Sequence, residues 1–189
     1  MSEINKNNID TLLKYYEAAR QEILSRISSR DNTLLIYLGG IGAIISASIQ
    51  SNNSNFLLIM PLIALGISPI VAHHHAMIGA LSLYCSTELD PYFTKLGVEI
   101  PSWDNSRARM DFVKNTIRLR YFGDIALICI PALIGLFINL KGVNDFWSIG
   151  SFVVGLIFII ISFIIMIKSF RYRQVLFKKM QNIAETQSK

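Results

Sequence analysis

Apolar residues in this chain are concentrated in long runs that carry no charge. Residues 32–87 are 56 consecutive positions without Asp, Glu, Lys or Arg, and further uncharged runs cover 125–140 and 146–167. A helix rises about 1.5 Å per residue, so about 20 apolar residues cross a hydrocarbon core of roughly 30 Å. Backbone amides in hydrocarbon must bond within their own segment, so runs of this length predict helices.

Four membrane spans follow from these runs. A polar stretch at residues 51–55 (SNNSN) interrupts the longest run and predicts a turn between two spans. We place the spans at residues 33–49, 56–77, 122–140 and 146–167. The composition agrees, since 52% of residues are hydrophobic and only 16% are charged. The predicted fold class is an all-α membrane protein with four transmembrane helices and amphipathic cytoplasmic helices.

Basic residues fall almost entirely on one side of the four spans. Of the 18 Lys and Arg residues, all but Lys141 lie before the first span, between the second and third, or after the fourth. Lys and Arg near span ends stay in the cytoplasm. The sequence therefore predicts a multi-pass protein of the bacterial inner membrane with both termini in the cytoplasm. The net charge of +5 then reflects topology and contact with anionic membrane lipid, and we expect no direct nucleic-acid binding.

This topology divides the chain into five segments. They are a cytoplasmic amphipathic helix at 1–32, a transmembrane hairpin at 33–77, a cytoplasmic helical stem and loop at 78–121, a second transmembrane hairpin at 122–167, and a basic cytoplasmic tail at 168–189.

Two cytoplasmic segments have helical patterns that continue into spans. Apolar residues recur at helical spacing over residues 8–30, and no Gly or Pro separates this stripe from the first span, so we expect one continuous helix. It either packs on the central loop or on the inner leaflet, or it mediates self-association, and the spacing leaves these alternatives open. After the second span, the sequence at 88–91 (ELDP) predicts a helix end. A helix from 107 is expected to lead into the third span.

Ionisable residues near the spans are the candidate gating or polar residues. His73, His74 and His75 adjoin the inner end of the second span, but neighbours on a helix point about 100° apart and cannot converge on one ion. Interfacial packing, a pH- or ion-responsive ring in an oligomer, and a metal site shared between subunits are the open interpretations. Asp124 is the acid nearest a span interior, where an ionisable group usually faces protein or water. Structural pairing with Arg118, Arg120 or the histidines competes with a role in gating.

Small residues make the first span narrow on more than one side. Gly39 and Ala43 form one small-xxx-small pattern, and Gly42 and Ser46 form another. Such patterns let helix backbones approach closely in a membrane. Packing within the subunit and oligomerisation explain these candidate packing residues equally well.

Residues for catalysis or for cofactor binding do not stand out in the sequence. No phosphate loop, zinc-ligand spacing or nucleophile motif occurs, and Glu88, Asp90 and Asp104 lack a nucleophile or histidine at useful spacing. We therefore expect a protein that is not an enzyme, with no cofactor and no bound metal.

The architecture resembles the small multi-span membrane proteins of bacterial anti-phage defence systems. These include the transmembrane effectors of retron and cyclic-nucleotide-triggered systems and the membrane subunit of Kiwa. The resemblance rests on the 8–30 helix that continues into the first span, the minimal outer turns and an inner stem at 73–91. It implies a homo-oligomeric inner-membrane effector, toxin-like and silent until a cytoplasmic sensor releases it to permeabilise the membrane. A reverse transcriptase–RNA complex or another defence protein would be that sensor.

Two other functions remain open at this stage. The chain would instead be a membrane anchor or sensor subunit that recruits a cytoplasmic partner without forming a pore, or a small transporter or channel.

Reporter fusions test the predicted topology. Alkaline phosphatase, which is active only outside the cytoplasm, is expected to be active when inserted after Asn53 and inactive when fused after Lys189. A cytoplasmic fluorescent protein is expected to give the reverse pattern, because 17 of the 18 basic residues hold their segments inside. Phosphatase activity at Lys189 would contradict the topology.

Overall fold

Helices account for the described fold. The computed structural model describes residues 3–98, 106–140 and 146–187, and these ranges contain no strand. The helices are α1 (Glu3–Gln50), α2 (Met60–Tyr84), α3 (Asp90–Lys95), α4 (Arg107–Asn139) and α5 (Phe146–Gln187). A 3-10 helix, Ser54–Ile59, precedes α2, and a turn of π-helix, Cys85–Leu89, joins α2 to α3. The all-helical class is confirmed.

Four helical segments are long and apolar enough to cross a membrane. Within the described ranges they are Asn7–Gln50, Ser54–Lys95, Thr116–Asn139 and Ile149–Asn182. This confirms the predicted number of candidate spans and supports a multi-pass membrane protein. The side of the membrane that each end faces stays a prediction.

The helices are longer than the predicted spans. The expected continuity of residues 8–30 with the first span is confirmed, because α1 runs unbroken from Glu3 to Gln50. The helix expected from residue 107 likewise runs into the third span as α4. The tail was predicted only as a basic segment, yet α5 continues from Phe146 to Gln187.

The predicted helix end at residues 88–91 is wrong. The Asp90 N–H donates to the Cys85 carbonyl, five residues back, so the chain continues through a π-turn into α3. Pro91 is tolerated there because it lies in the first turn of α3, where its missing N–H costs little. The real end lies at Gly97, with φ of +74°, which L side chains rarely adopt. Val98 N–H bonds to Phe93 O, and Gly97 N–H bonds to Thr94 O, which together form a Schellman motif.

The chain forms two compact units. Unit 1 comprises Met1–Ser29, His74–Arg118 and Arg171–Lys189, and unit 2 comprises Arg30–His73 and Leu119–Phe170.

Unit 1 has an apolar core of its own. Ala19 and Ile23 of α1 are buried together with Ile78, Cys85 and Leu89. The Tyr16 and Phe93 rings meet edge to face with centroids 6.1 Å apart. The tail helix also contributes buried residues, namely Leu176, Phe177 and Met180. Their spacing is helical, so the same periodicity that predicted the 8–30 helix was present in the tail.

Unit 2 is held by apolar packing and by hydrogen bonds between helices. Its core includes residues of α1, α2, α4 and α5, with Tyr37, Met60, Ile128, Leu136 and Met166 almost fully buried. The Tyr37 hydroxyl donates to the Ile128 carbonyl at 2.7 Å, and the Ser169 hydroxyl donates to the Ala72 carbonyl at 2.9 Å. Hydrocarbon gives helices little hydrophobic reason to associate, so close packing and such polar links set the arrangement in a membrane.

Prolines inside the helices of unit 2 free backbone carbonyls. Pro69 lies within α2 and Pro131 within α4, and each lacks the N–H that would bond four residues back. Leu65 is the acceptor that Pro69 leaves, and the Ser68 hydroxyl lies 3.3 Å from its carbonyl oxygen. A serine therefore satisfies the freed group locally, as such groups must be in hydrocarbon.

Close helix contact at Gly135 gives a test of unit 2 packing. A Cβ at this position of α4 would lie 2.9 Å from the Leu57 carbonyl oxygen and 3.0 Å from Met60 Sδ. Gly135→Ala is expected to destabilise the protein by about 1–3 kcal/mol, because a backbone atom must move. Thermal unfolding of the purified protein in detergent measures this effect.

Gly123→Ala is the matched control on the same helix. An added Cβ there meets no described atom within 4 Å, so the substitution should be neutral or stabilise by up to about 1 kcal/mol through helix propensity. Equal melting temperatures for the two variants would contradict the packing of α4 on the 3-10 helix and α2.

Candidate functional site

The three adjacent histidines occupy different environments. His73 belongs to unit 2 and is exposed, whereas His74 and His75 belong to unit 1 and are buried. His75 Nδ1 lies 3.3 Å from Arg173 Nη1 of α5, and because a guanidinium carries only donors, this contact requires an unprotonated Nδ1. The described residues contain no group of three His, Cys, Asp or Glu side chains that could hold a metal ion. His75 is thus engaged with the tail helix, a contact that the sequence did not indicate.

Asp124 is buried in α4, within unit 2. An ionisable side chain at such depth is a candidate for function, because its burial in a membrane protein is costly unless it faces a partner or water. Arg120, one turn earlier and one of its expected partners, also approaches the carboxylate of Asp31, with Nη2 and Oδ1 3.6 Å apart. The gating role of Asp124 stays a prediction.

A buried arginine lies where α1 enters its uncharged run. The Arg30 side chain is only 1% exposed, and its Nε and Nη2 donate to Asp31 Oδ1 at 3.0 and 2.6 Å. Its Nη1 is buried without a hydrogen-bond partner among the described residues. A buried charge persists only when paired, so the half-exposed Asp31 carboxylate is the group that compensates this guanidinium.

The Arg30–Asp31 pair was not among the predicted site residues. Arg30 was interpreted from the sequence only as a topology marker. The available signal was an adjacent Arg and Asp immediately before 56 uncharged residues, which places both charges at a predicted span end. Both Arg30 and Arg120 lie near predicted span ends, but the Arg30 side chain is buried and the Arg120 side chain is half-exposed. No sequence periodicity could show this difference.

The small residues of the first span form an uncovered face on α1. Gly39, Gly42, Ala43 and Ser46 are all exposed, and we call them the small face. An added Cβ at either glycine would meet no atom within 4 Å among the described residues. At about 100° per residue these positions lie opposite the buried side of α1, which includes Tyr37.

Large apolar residues flank the small face. Leu35, Ile36 and Ile49 are each about two-thirds exposed or more. The described part of the chain therefore does not pack on the small face. The sequence left two explanations open, packing within the subunit and oligomerisation. An uncovered small face fits oligomerisation better. The assignment of these residues to helix packing stays a prediction.

The polar turn between α1 and α2 is anchored to α4. The Ser54 hydroxyl donates to Asn139 Oδ1 at 2.8 Å, and Asn139 Nδ2 donates back to the Ser54 carbonyl at 2.9 Å. Ser48 Oγ donates to the Asn53 carbonyl at 3.0 Å. The turn that the sequence predicted as a simple polar loop is thus a structured part of unit 2.

No protein family model, curated protein or solved structure matches this chain.

Removing the carboxylate beside Arg30 tests its role. Asp31→Asn is expected to destabilise the protein by about 1–3 kcal/mol, because a buried guanidinium loses its charged acceptor while Asp31 itself is half solvated. Glu22→Gln is the matched control on the same helix. This substitution breaks the Glu22–Arg26 ion pair, which has the same 2.6 Å length but partly exposed partners. We therefore expect it to lower the free energy of unfolding by about 0.5 kcal/mol or less.

Thermal unfolding in detergent compares the stability of the two variants. Equal losses of stability would show that Arg30 does not depend on Asp31.

Proposed function

We propose that this protein is an oligomeric effector of the bacterial inner membrane that permeabilises the membrane in anti-phage defence when a cytoplasmic sensor releases it. The single observation that carries the proposal is the small face of α1. Gly39, Gly42, Ala43 and Ser46 are exposed on a helix apolar enough to cross a membrane, and both glycines have open space around them. Such a face suits close approach of a second helix in a bilayer, which is the first step towards an oligomer.

The proposed orientation places both termini and the segment 78–121 in the cytoplasm. The charge distribution supports it, since 17 of the 18 Lys and Arg residues lie on that side. The boundaries of unit 1, at Ser29, His74, Arg118 and Arg171, lie close to the predicted inner ends of the four spans. Unit 1 would then be the cytoplasmic part and unit 2 the membrane part.

Unit 1 offers a folded surface for a sensor. On its α1 segment, Tyr16, Ala19 and Ile23 pack in or against the unit 1 core while Lys14 and Glu17 are exposed, which supports the proposed amphipathic cytoplasmic helix. Basic side chains of α5 are exposed as well, namely Arg171, Lys178 and Lys179. A cytoplasmic regulator, such as a reverse transcriptase–RNA complex, would bind here, and the anionic headgroups of the inner leaflet would lie nearby.

The permeation path would need polar groups at membrane depth. Asp124 and the exposed His73 of unit 2 are the ionisable residues that supply them in this proposal. The output is passage of ions rather than chemistry, so no catalytic residues are assigned.

Disruption of the small face tests the proposal. Gly42→Ile would place a branched side chain where a second helix must approach, so we expect loss of the oligomer and at least about tenfold less depolarisation. Induced cells stained with a membrane-potential dye, with the sensor triggered, measure depolarisation, and cross-linking in membranes measures the oligomer. Gly66→Ile on α2 is the control, because that glycine is also exposed and has open space.

The outcomes separate the effector from a membrane anchor. The effector is supported if Gly42→Ile abolishes both depolarisation and the oligomer while Gly66→Ile retains both. The compact fold of unit 1 favours the anchor as the second candidate, because it provides a partner surface that needs no pore. If wild-type protein never depolarises cells, while scrambling residues 103–120 abolishes capture of its partner, the anchor is correct and the effector is overturned.

A further inference from the structure

A cavity of about 790 Å³ opens within unit 2, between α1, the 3-10 helix and α4. Ile41, Ile45 and Ile49 line it from α1, and Ile134 and Ile138 line it from α4. Its volume falls within the range of about 300–1,000 Å³ that is typical of sites for small ligands. Gly135 of α4 also lines the cavity.

One end of the cavity is polar. Ser48, Asn52, Asn53 and Ser54 line this end, where α1 turns into the 3-10 helix. Hydrogen bonds hold this end in place. The Asn53 side chain caps the 3-10 helix by accepting from the Asn55 N–H at 3.0 Å, and Asn139 of α4 accepts from the Ser54 hydroxyl. Asn52 adopts a φ of +50°, a left-handed conformation that asparagine tolerates better than most residues.

The lining residues carry no formal charge. An ionic headgroup would therefore gain nothing inside this cavity, whereas amide and hydroxyl groups suit neutral acceptors such as ester carbonyls. The apolar walls belong to helices that are apolar enough to cross a membrane, so hydrocarbon is the medium that they would face. The matching ligand has a long apolar chain and an uncharged hydrogen-bonding group at one end.

We propose that this cavity binds one acyl chain of a membrane glycerolipid, with the ester region at Asn52 and Asn53. The lipid would come from the leaflet that holds the turn between α1 and the 3-10 helix. A helix of a second copy fits less well, because a helix about 10 Å wide would fill this volume in roughly two turns, far short of a span. The cavity borders the small face at Ile49, but Gly39, Gly42, Ala43 and Ser46 do not line it, so this proposal rests on the membrane-spanning fold and not on the effector function.

Photolabelling with a lipid tests the site. Full-length protein is reconstituted into vesicles of phosphatidylcholine that carries a diazirine in one acyl chain, irradiated and mapped by peptide mass spectrometry. We expect labelling per residue at Ile41 and Ile45, which line the cavity, to exceed that of residues 156–164 on α5 by about tenfold, a factor that corresponds to about 1.4 kcal/mol. The α5 stretch is the internal reference, because Ile157, Ile160 and Ile164 are exposed apolar residues outside the cavity.

Two substitutions on α4 form a matched pair. Ile134 lines the cavity and is 53% exposed, whereas Ile130, one turn earlier, is 50% exposed and is not a lining residue. Ile134→Trp should fill the cavity and lower labelling of Ile41 and Ile45 by about tenfold, while Ile130→Trp should leave it unchanged.

Several results would overturn the lipid site. One is equal labelling of Ile41 and Ile45 and of residues 156–164 in the wild-type protein, which needs no variant to fold. Another is equal labelling of Ile41 and Ile45 in the two tryptophan variants. Protection of Ile41 and Ile45, together with disulfide-linked dimers of Ile45→Cys, would assign the cavity to a second copy instead. Ile41 and Ile45 are not part of the small face, so loss of the small-face oligomer or absence of depolarisation does not change this readout, and the lipid site and the effector function fail separately.

Discussion

Satisfaction of backbone polar groups without water is the constraint on which this structure depends. Hydrocarbon offers no partner for a free N–H or C=O, which favours continuous helices, and four helical segments of the described chain are long and apolar enough to cross a membrane. The same constraint explains a local repair in unit 2, where Ser68 bonds the Leu65 carbonyl that Pro69 would otherwise leave free. In unit 1, outside the predicted spans, the α2–α3 junction also stays helical, through a bond from the Asp90 N–H to the Cys85 carbonyl. Continuity is thus preserved where the sequence contains residues that would end a helix in water.

Polar side chains have a second task in unit 2, where they connect helices. Tyr37 joins α1 to α4, Ser169 joins α5 to α2, and Asn139 holds the turn before α2. Each link ends on a backbone carbonyl, so it fixes the relative position of two helices rather than of two mobile side chains. A proposed oligomer and a proposed lipid site both require such a fixed frame, because each depends on which side of α1 remains uncovered.

The candidate site shows how far a sequence pattern reaches. The small-xxx-small spacing of Gly39 and Ala43 is visible in the sequence. The same spacing serves helix packing inside the subunit and helix packing between subunits, so the sequence cannot distinguish them. The core residues on the other side of α1 turn the small face away from the described part of the chain, which favours the use outside the subunit. Arg30 was overlooked for the same reason. The burial of Arg30 depends on which side of α1 faces the protein. Counting Lys and Arg residues to assign topology treats Arg30 like any other basic residue.

The sequence by itself determined the helical class, the number of candidate spans and the continuity of α1 with its polar N-terminal part. These follow from local quantities, namely the length of uncharged runs and the absence of helix breakers, which act within one segment. Only the tertiary structure decided the burial of Arg30 beside Asp31, the contact of His75 with Arg173, and the anchoring of the polar turn by Asn139. It alone also showed the apolar cavity beside that turn. These features join residues up to 98 positions apart, and their geometry is set by helix packing, which no local pattern records.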